Sequence, residues 1–403
     1  MGKVWWKALW MLTVLLAATG CWDRVEIEQR GFVVGAGIEL PDETDQEEED
    51  SETPDRPKGK QRYALTYQFV MPGTLGGQGE EGNQSQSFFN FTSTGESLLK
   101  ITREFATRTG RSPYLEHLKV ILVSEELAKR RGDFANAVDF FIRFHESRRN
   151  TKIFIVEGSP LKAFEINPRT EKLNVNYIES ISKNHLKTAR MLEPYAIDQL
   201  EEKLLLETSY TIPRIVVRKG DVKDAGAAVF HARGNWMLGW LDEEETQGLN
   251  YLRNEVKEDV ITGQVRDNLI VYDVTRVDRK IKVDSRDLDH IKFTIELDVE
   301  GEIGESLETM NYMQKAAVNQ AEESIKNEII RLCNATLHKL QKEFEVDVVG
   351  LGNHLKRYYP KVWAKVRKDW DTGENHFAKS IVEVRVNPII RNPGVVTESE
   401  SRY

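Results

Sequence analysis

Cysteine is nearly absent from this chain: Cys21 and Cys333 are the two in 403 residues. So few thiols exclude a disulfide framework and any zinc site built mainly on thiolates. Histidine offers no substitute. The eight at positions 117, 145, 185, 231, 290, 338, 354 and 376 stand singly, without the i, i+4 pair or the Cys/His spacing that zinc needs. Neither a Gly-x-Ser-x-Gly elbow nor a Gly-x-x-x-x-Gly-Lys phosphate loop occurs, so two common routes to acyl and phosphoryl transfer are missing. Gly31, Gly35 and Gly37 fail the dinucleotide fingerprint at the third glycine, and close packing within a strand accounts for them better. We therefore expect no catalytic centre, no metal site and no cofactor.

Basic excess is lacking too. The formal charge is −9, yet nine acidic side chains fall between Asp42 and Asp55, and without them acidic and basic residues balance. With no basic face to offset phosphate repulsion and no recognisable binding motif, nucleic acid is not expected as a partner. Past residue 20, every apolar run is broken by charge within about ten residues, too short to span a bilayer.

The one long apolar segment lies at the N-terminus. Lys3 and Lys7 flank Trp5-Trp6, an apolar run continues from Met11 to Ala18, and Thr19, Gly20 and Cys21 close it. A charged start, a short apolar stretch and small residues before a cut are the layout of a secretory signal peptide. Cys21 directly after Gly20 makes it the lipoprotein type, with Ala18 standing where leucine is usual. The expected modification converts the Cys21 thiol to a thioether-linked diacylglycerol, with palmitate-type chains, and makes it the new N-terminus. The alternative is an uncleaved membrane anchor; either way the body is held against a membrane outside the cytoplasm. Two or three acyl chains, at roughly 0.8 kcal/mol per buried methylene, give a lasting attachment. Cys333 then keeps the remaining thiol, and its place on the apolar stripe of a helix marks it as packing.

Beyond a signal peptide over 1–20, the pattern predicts a mixed α/β or α+β, multidomain body with mixed sheets, packed helices and a long helix against a sheet. Residues 21–208 read as an N-terminal α/β region of one domain or two. It is interrupted by flexible loops at 41–61, which is acidic and proline-bearing, and at 73–86, rich in Gly, Gln, Asn and Ser. Strand alternation at 62–71 is followed by a helix over 97–109, a strand over 118–123 and a helix capped by Ser124. Residues 209–391 read as a C-terminal α/β domain. It opens with a hairpin whose strands are 226–231 and 236–240, turning at Arg233-Gly234-Asn235. Asp242 and Glu245 match a capping box, so the acidic run at 242–245 is assigned to helix capping over a cation site. Strands are expected near 268–274, 279–283 and 292–297. From Met313 to Phe344 apolar residues recur every three or four positions, predicting a helix over 313–345 about 50 Å long. A flexible tail closes the chain at 392–403.

Several stretches together resemble one family, the Ger(x)C lipoproteins, which are the C subunits of bacterial spore nutrient-germination receptors. They are the junction from Leu15 to Arg24 with Glu26-Ile27-Glu28, the segment from Glu116 to Glu126, and Gly239-Trp240-Leu241-Asp242-Glu243-Glu244-Glu245-Thr246-Gln247-Gly248-Leu249. The long helix, Tyr358-Tyr359-Pro360, Trp363 and the closing strand complete the set. The resemblance implies a lipid-anchored protein of three mixed α/β domains on the outer face of the spore inner membrane. It also implies action with two integral membrane partners, the A and B subunits, in nutrient-triggered germination. Cys21 is the one site residue it transfers. A lipid-anchored solute-binding protein of a transporter is the alternative, and a surface hydrolase would need a catalytic cluster that is not seen.

Overall fold

The apolar alternation from Tyr63 onward becomes a strand buried along nearly its whole length. In the computed structural model, residues 30–42, 61–70, 87–206, 208–266, 268–306 and 314–392 are described, together with Trp5, Trp6 and Trp10. Most of both expected loops, Met313 and the tail beyond Asn392 lie outside them. The first part runs β1 (Arg30–Glu39), β2 (Tyr63–Val70), β3 (Phe88–Gly95), α1 (Leu98–Arg108), β4 (Ser112–Tyr114), β5 (Val120–Ser124), α2 (Glu125–Lys129), α3 (Asp133–Arg143), β6 (Lys152–Glu157), α4 (Pro160–Glu165), α5 (Asn174–Ser182), α6 (Ile197–Leu205), β7 (Tyr210–Arg218), β8 (Asp221–His231) and β9 (Trp236–Leu241). The second runs α7 (Glu243–Arg253), β10 (Asp259–Val265), β11 (Asn268–Asp284), β12 (Lys292–Ser306), α8 (Lys315–His338), α9 (Leu351–Tyr358), α10 (Pro360–Val366), α11 (His376–Lys379) and β13 (Ile381–Asn392).

Nine strands form one mixed sheet, in the order β3-β2-β1-β5-β6-β7-β8-β9 with β4 beside the start of β1. Its centre is parallel, from β1 through β5 and β6 to β7, and both faces there are covered, which explains the unbroken Val120-Ile121-Leu122-Val123 run. On one face α1, α3 and α6 bury Ile101, Phe105, Phe134, Phe141 and Leu200. On the other, α4 and α5 bury Phe164, Val175 and Ile178 against Val120, Leu122 and Phe154. The glycine-rich β1 is explained here: a Cβ at Gly35 would stand 2.5 Å from Val175 Cγ2, and one at Gly37 2.9 Å from Pro160 Cβ. The change of character near residue 208 falls inside this sheet, because β7 pairs with β6 and carries β8 and β9 into it.

A second sheet, β10-β11-β12-β13, lies under α8. Where the sequence suggested two strands, at 268–274 and 279–283, one strand β11 runs the whole way, absorbing irregularities near Val271 and Val274 as bulges. The long helix forms as expected over 315–338 and then loosens into a π-helical turn at 339–344, before Glu345 enters the left-handed region at φ 55°. Its stripe Ala321, Ile325, Ile329, Leu332 and Leu337 is buried in a core shared with Ala227 and Val229 of β8 and with Phe293, Ile295 and Leu297 of β12. The sheet's outer face is a lattice of paired charges, such as Lys280 with Asp298 and Lys292 with Glu383. No helix of the described residues is long and apolar enough to cross a membrane.

Candidate functional site

Cys21, the site residue expected from the sequence, lies outside the described residues. Among the described residues, no three His, Cys, Asp or Glu side chains are grouped to hold a metal. Cys333 is buried, burial pushes its thiol well above the ordinary range, and its Sγ faces the Gly248 carbonyl at 3.9 Å.

The densest polar construction lies at α7, on the segment that carries the family resemblance. The capping box forms as read: Glu245 N–H donates to Asp242 Oδ1 and Asp242 N–H to Glu245 Oε2, each at 2.8 Å. Lys339 pairs with Glu245 at 3.1 Å, so these acids are engaged by helix and neighbour. One turn on, Gln247 Nε2 donates to Asp259 Oδ2 at 2.7 Å, Tyr251 donates to the same oxygen at 3.1 Å, and Ala189 N–H reaches Asp259 Oδ1 at 3.0 Å. Asn250 Nδ2 holds the carbonyls of Ala189 and Met191 at 2.7 and 2.9 Å. Thus α7 straps the 189–191 segment, which precedes α6, onto the C-terminal sheet. Burial raises the Asp259 carboxyl above the usual range, and these donors partly offset that. Asp259→Ala should cost about 2–3 kcal/mol, since three buried donors lose their acceptor; urea unfolding measures it.

A further carboxylate, Asp347, accepts from the backbone N–H groups of Gly350 at 2.8 Å and Gly352 at 2.6 Å, and from Trp370 Nε1 at 2.8 Å. It caps α9 and is thereby used up. An open cleft of ≈ 260 Å³ lies where β5 and β6 begin, lined by Lys119, Arg148, Lys152, Glu179 and Glu193. Its lysines are engaged: Lys119 bonds Glu179 at 3.1 Å and Asn176 at 2.9 Å, and Lys152 bonds the Pro194 carbonyl at 3.1 Å.

Asp224 is different. Both carboxyl oxygens are buried without a hydrogen-bond partner, and burial alone pushes the group up to about 8. A protonated acid is what such a place holds. No nucleophile bonds to it, so its chemistry is retention of a proton. Asp224 and Asp259 escaped the sequence reading, since a single acid in a strand gives no sign of its depth.

Comparison with known proteins now adds to this geometry. Residues 23–217 match the family described as spore germination protein N-terminal domain, and residues 225–394 match spore germination B3/GerAC like, C-terminal. The chain belongs to the GerAC-like family of spore germination proteins. Spore germination protein YndF of Bacillus subtilis (strain 168) is 29% identical over 390 residues, 95% of either chain. Spore germination protein A3 of the same organism is 26% identical, covering 96% of this chain and 98% of its own. The crystal structure of the GerBC protein superimposes with a TM-score of 0.60 at 22% identity, covering 84% of this chain and 96% of that one. Family membership gives the chain a germination-related role, and the GerBC likeness agrees with the mixed α+β fold.

Proposed function

We propose that this chain is the lipid-anchored C subunit of a spore germinant receptor. It acts without catalysis alongside integral membrane A and B subunits, on the outer face of the spore inner membrane. The observation that carries the reading is full-length likeness to spore germination proteins in a chain where Cys21 follows a charged and apolar leader. A solute-binding protein would be built from two similar lobes, whereas the two sheets here have nine and four strands of different topology. A tether confines the body to a thin layer beside the membrane and so raises its effective concentration toward membrane partners.

The test is affinity purification of the tagged chain from detergent-solubilised spore membranes. Recovery of two polytopic receptor subunits is the expected result, and recovery of transporter permeases would overturn it. Cys21→Ala should release the protein from the membrane fraction once the leader is removed and lower the germination response. Membrane retention and germination equal to wild type would refute the tether.

A further inference from the structure

Between Asp347 and Asp369 the sequence has six cations, Lys356, Arg357, Lys361, Lys365, Arg367 and Lys368, and no acid. They fall on α9, α10 and the turn after them, and all six are exposed. None pairs with a carboxylate among the described residues, which sets them apart from the cations on the outer face of the second sheet. A cation run is ordinarily only a solvated face, but this one is mixed with aromatics. Tyr358 is 59% exposed with the Arg357 guanidinium 5.3 Å from its ring centre, and Tyr359 and Trp363 are half-buried, packed against the C-terminal core at its edge.

The location of the patch gives a second, independent observation. The parallel strands β1, β5, β6 and β7 all start at one end of the large sheet. Ser209, just before β7, donates to Asp371 Oδ2 at 2.8 Å, and Arg233, in the turn between β8 and β9, donates to the Lys368 carbonyl at 3.0 Å. These bonds fix the basic helices at the end of the sheet where Arg30 opens β1. Strands β1 and β7 are three spacings apart, about 15 Å, and the residues from Cys21 to Arg30 can extend roughly 30 Å. A surface that receives the N-terminal segment therefore lies within reach of the patch.

We infer that the α9–α10 face docks on an anionic lipid bilayer, its cations against headgroup phosphates and the exposed Tyr358 at the interfacial level. Interfacial Tyr and Trp with snorkelling Lys and Arg are the side chains such a plane takes. Near an anionic surface each cation is worth about a fivefold factor in partition, screened by salt. The inference rests on the tethered reading above for bringing the membrane near, and it adds which face turns toward it.

The experiment uses the full lipidated chain on vesicles of phosphatidylcholine alone or with one-third phosphatidylglycerol, exposed to an amine-acylating reagent and read lysine by lysine by mass spectrometry. On anionic vesicles Lys356, Lys361, Lys365 and Lys368 should react at least about threefold more slowly, with recovery in high salt. Lys282, on the outer face of the second sheet, should be unchanged. Retention on neutral vesicles reads the tether separately, so its failure is distinguishable from failure of the patch. Equal lysine rates on both vesicles would overturn the inference. So would equal slowing by inorganic phosphate on neutral vesicles, which would make the ligand a free anion. Protection on native membranes but not on anionic vesicles would assign the face to a protein partner and also overturn it.

Discussion

Gly248→Ala is expected to destabilise the protein by about 2–3 kcal/mol, although alanine is the better helix former. In an unconstrained helix interior the change would gain about 1 kcal/mol. Here α7 crosses α8 at backbone distance. A Cβ at Gly248 would overlap Thr336 Oγ1 and the Leu332 carbonyl oxygen and stand 2.7 Å from the Leu332 carbonyl carbon. Thr336 cannot swing aside freely, because its single hydroxyl proton is shared between the Glu245 carbonyl at 2.7 Å and the Leu332 carbonyl at 3.0 Å. A backbone obstacle yields only by moving a helix, and overpacking of that kind costs about 1–3 kcal/mol and occasionally more. The helices would part at the point where the core of both sheets is shared, so the loss should exceed the propensity gain. Urea unfolding would show a lower midpoint at unchanged slope. Gly110→Ala is the control: nothing lies within 4 Å of a Cβ there, and its effect should be near zero or slightly stabilising. A stable Gly248→Ala protein would mean that the two helices can separate without loss.

That glycine belongs to the most recognisable stretch of the sequence, and the stretch shows what a linear reading reaches. The hairpin and the Asp242 box were legible because their signals are local: turn residues at fixed offsets, and two side chains exchanging bonds with each other's backbone. The long helix was legible from its period, and its stripe is buried as expected. The joining of β7, β8 and β9 to the first sheet was not legible, because strand partners are chosen by tertiary contacts far apart in sequence. Nothing local marks the irregular segment at 187–196, with its turns at 187 and 189–190, because its backbone is held partly by Asn250 and Asp259 of the second half. The basic face at 356–368 was missed, because a balanced total charge hides a local run, and the end of the sheet it occupies depends on the Ser209 and Arg233 bonds.

A pH series should separate Asp224→Asn from wild type by on the order of 4 kcal/mol between pH 4 and pH 8. Asp224 lies in β8, two residues from Val222, so the two share a strand face. Val222 packs with Phe154, Phe164 and Ile178, and α5 lies over this strand. No donor reaches the carboxyl and no charge offsets its burial, so the folded group keeps its proton up to about 8, while an unfolded Asp loses it near ~3.9. Between those values the folded state binds more protons than the unfolded one, so stability must fall as pH rises. The contribution is complete below about pH 4, declines through the window, and is constant above about pH 8. Asparagine has nearly the same shape and no titration, so its fixed cost of orphaned donors, about 1–3 kcal/mol, applies equally at every pH. Asp259 and Asp371 are also raised by burial, but both proteins contain them and their slopes cancel in the difference. The variant should therefore be equal or weaker at pH 4 and gain steadily toward pH 8, by the 1.36 kcal/mol per pH unit that one proton carries. Urea midpoints of both proteins across this range measure the gain. A difference that does not change with pH would mean that the Asp224 carboxylate finds water or a cation in solution and ionises like an exposed one.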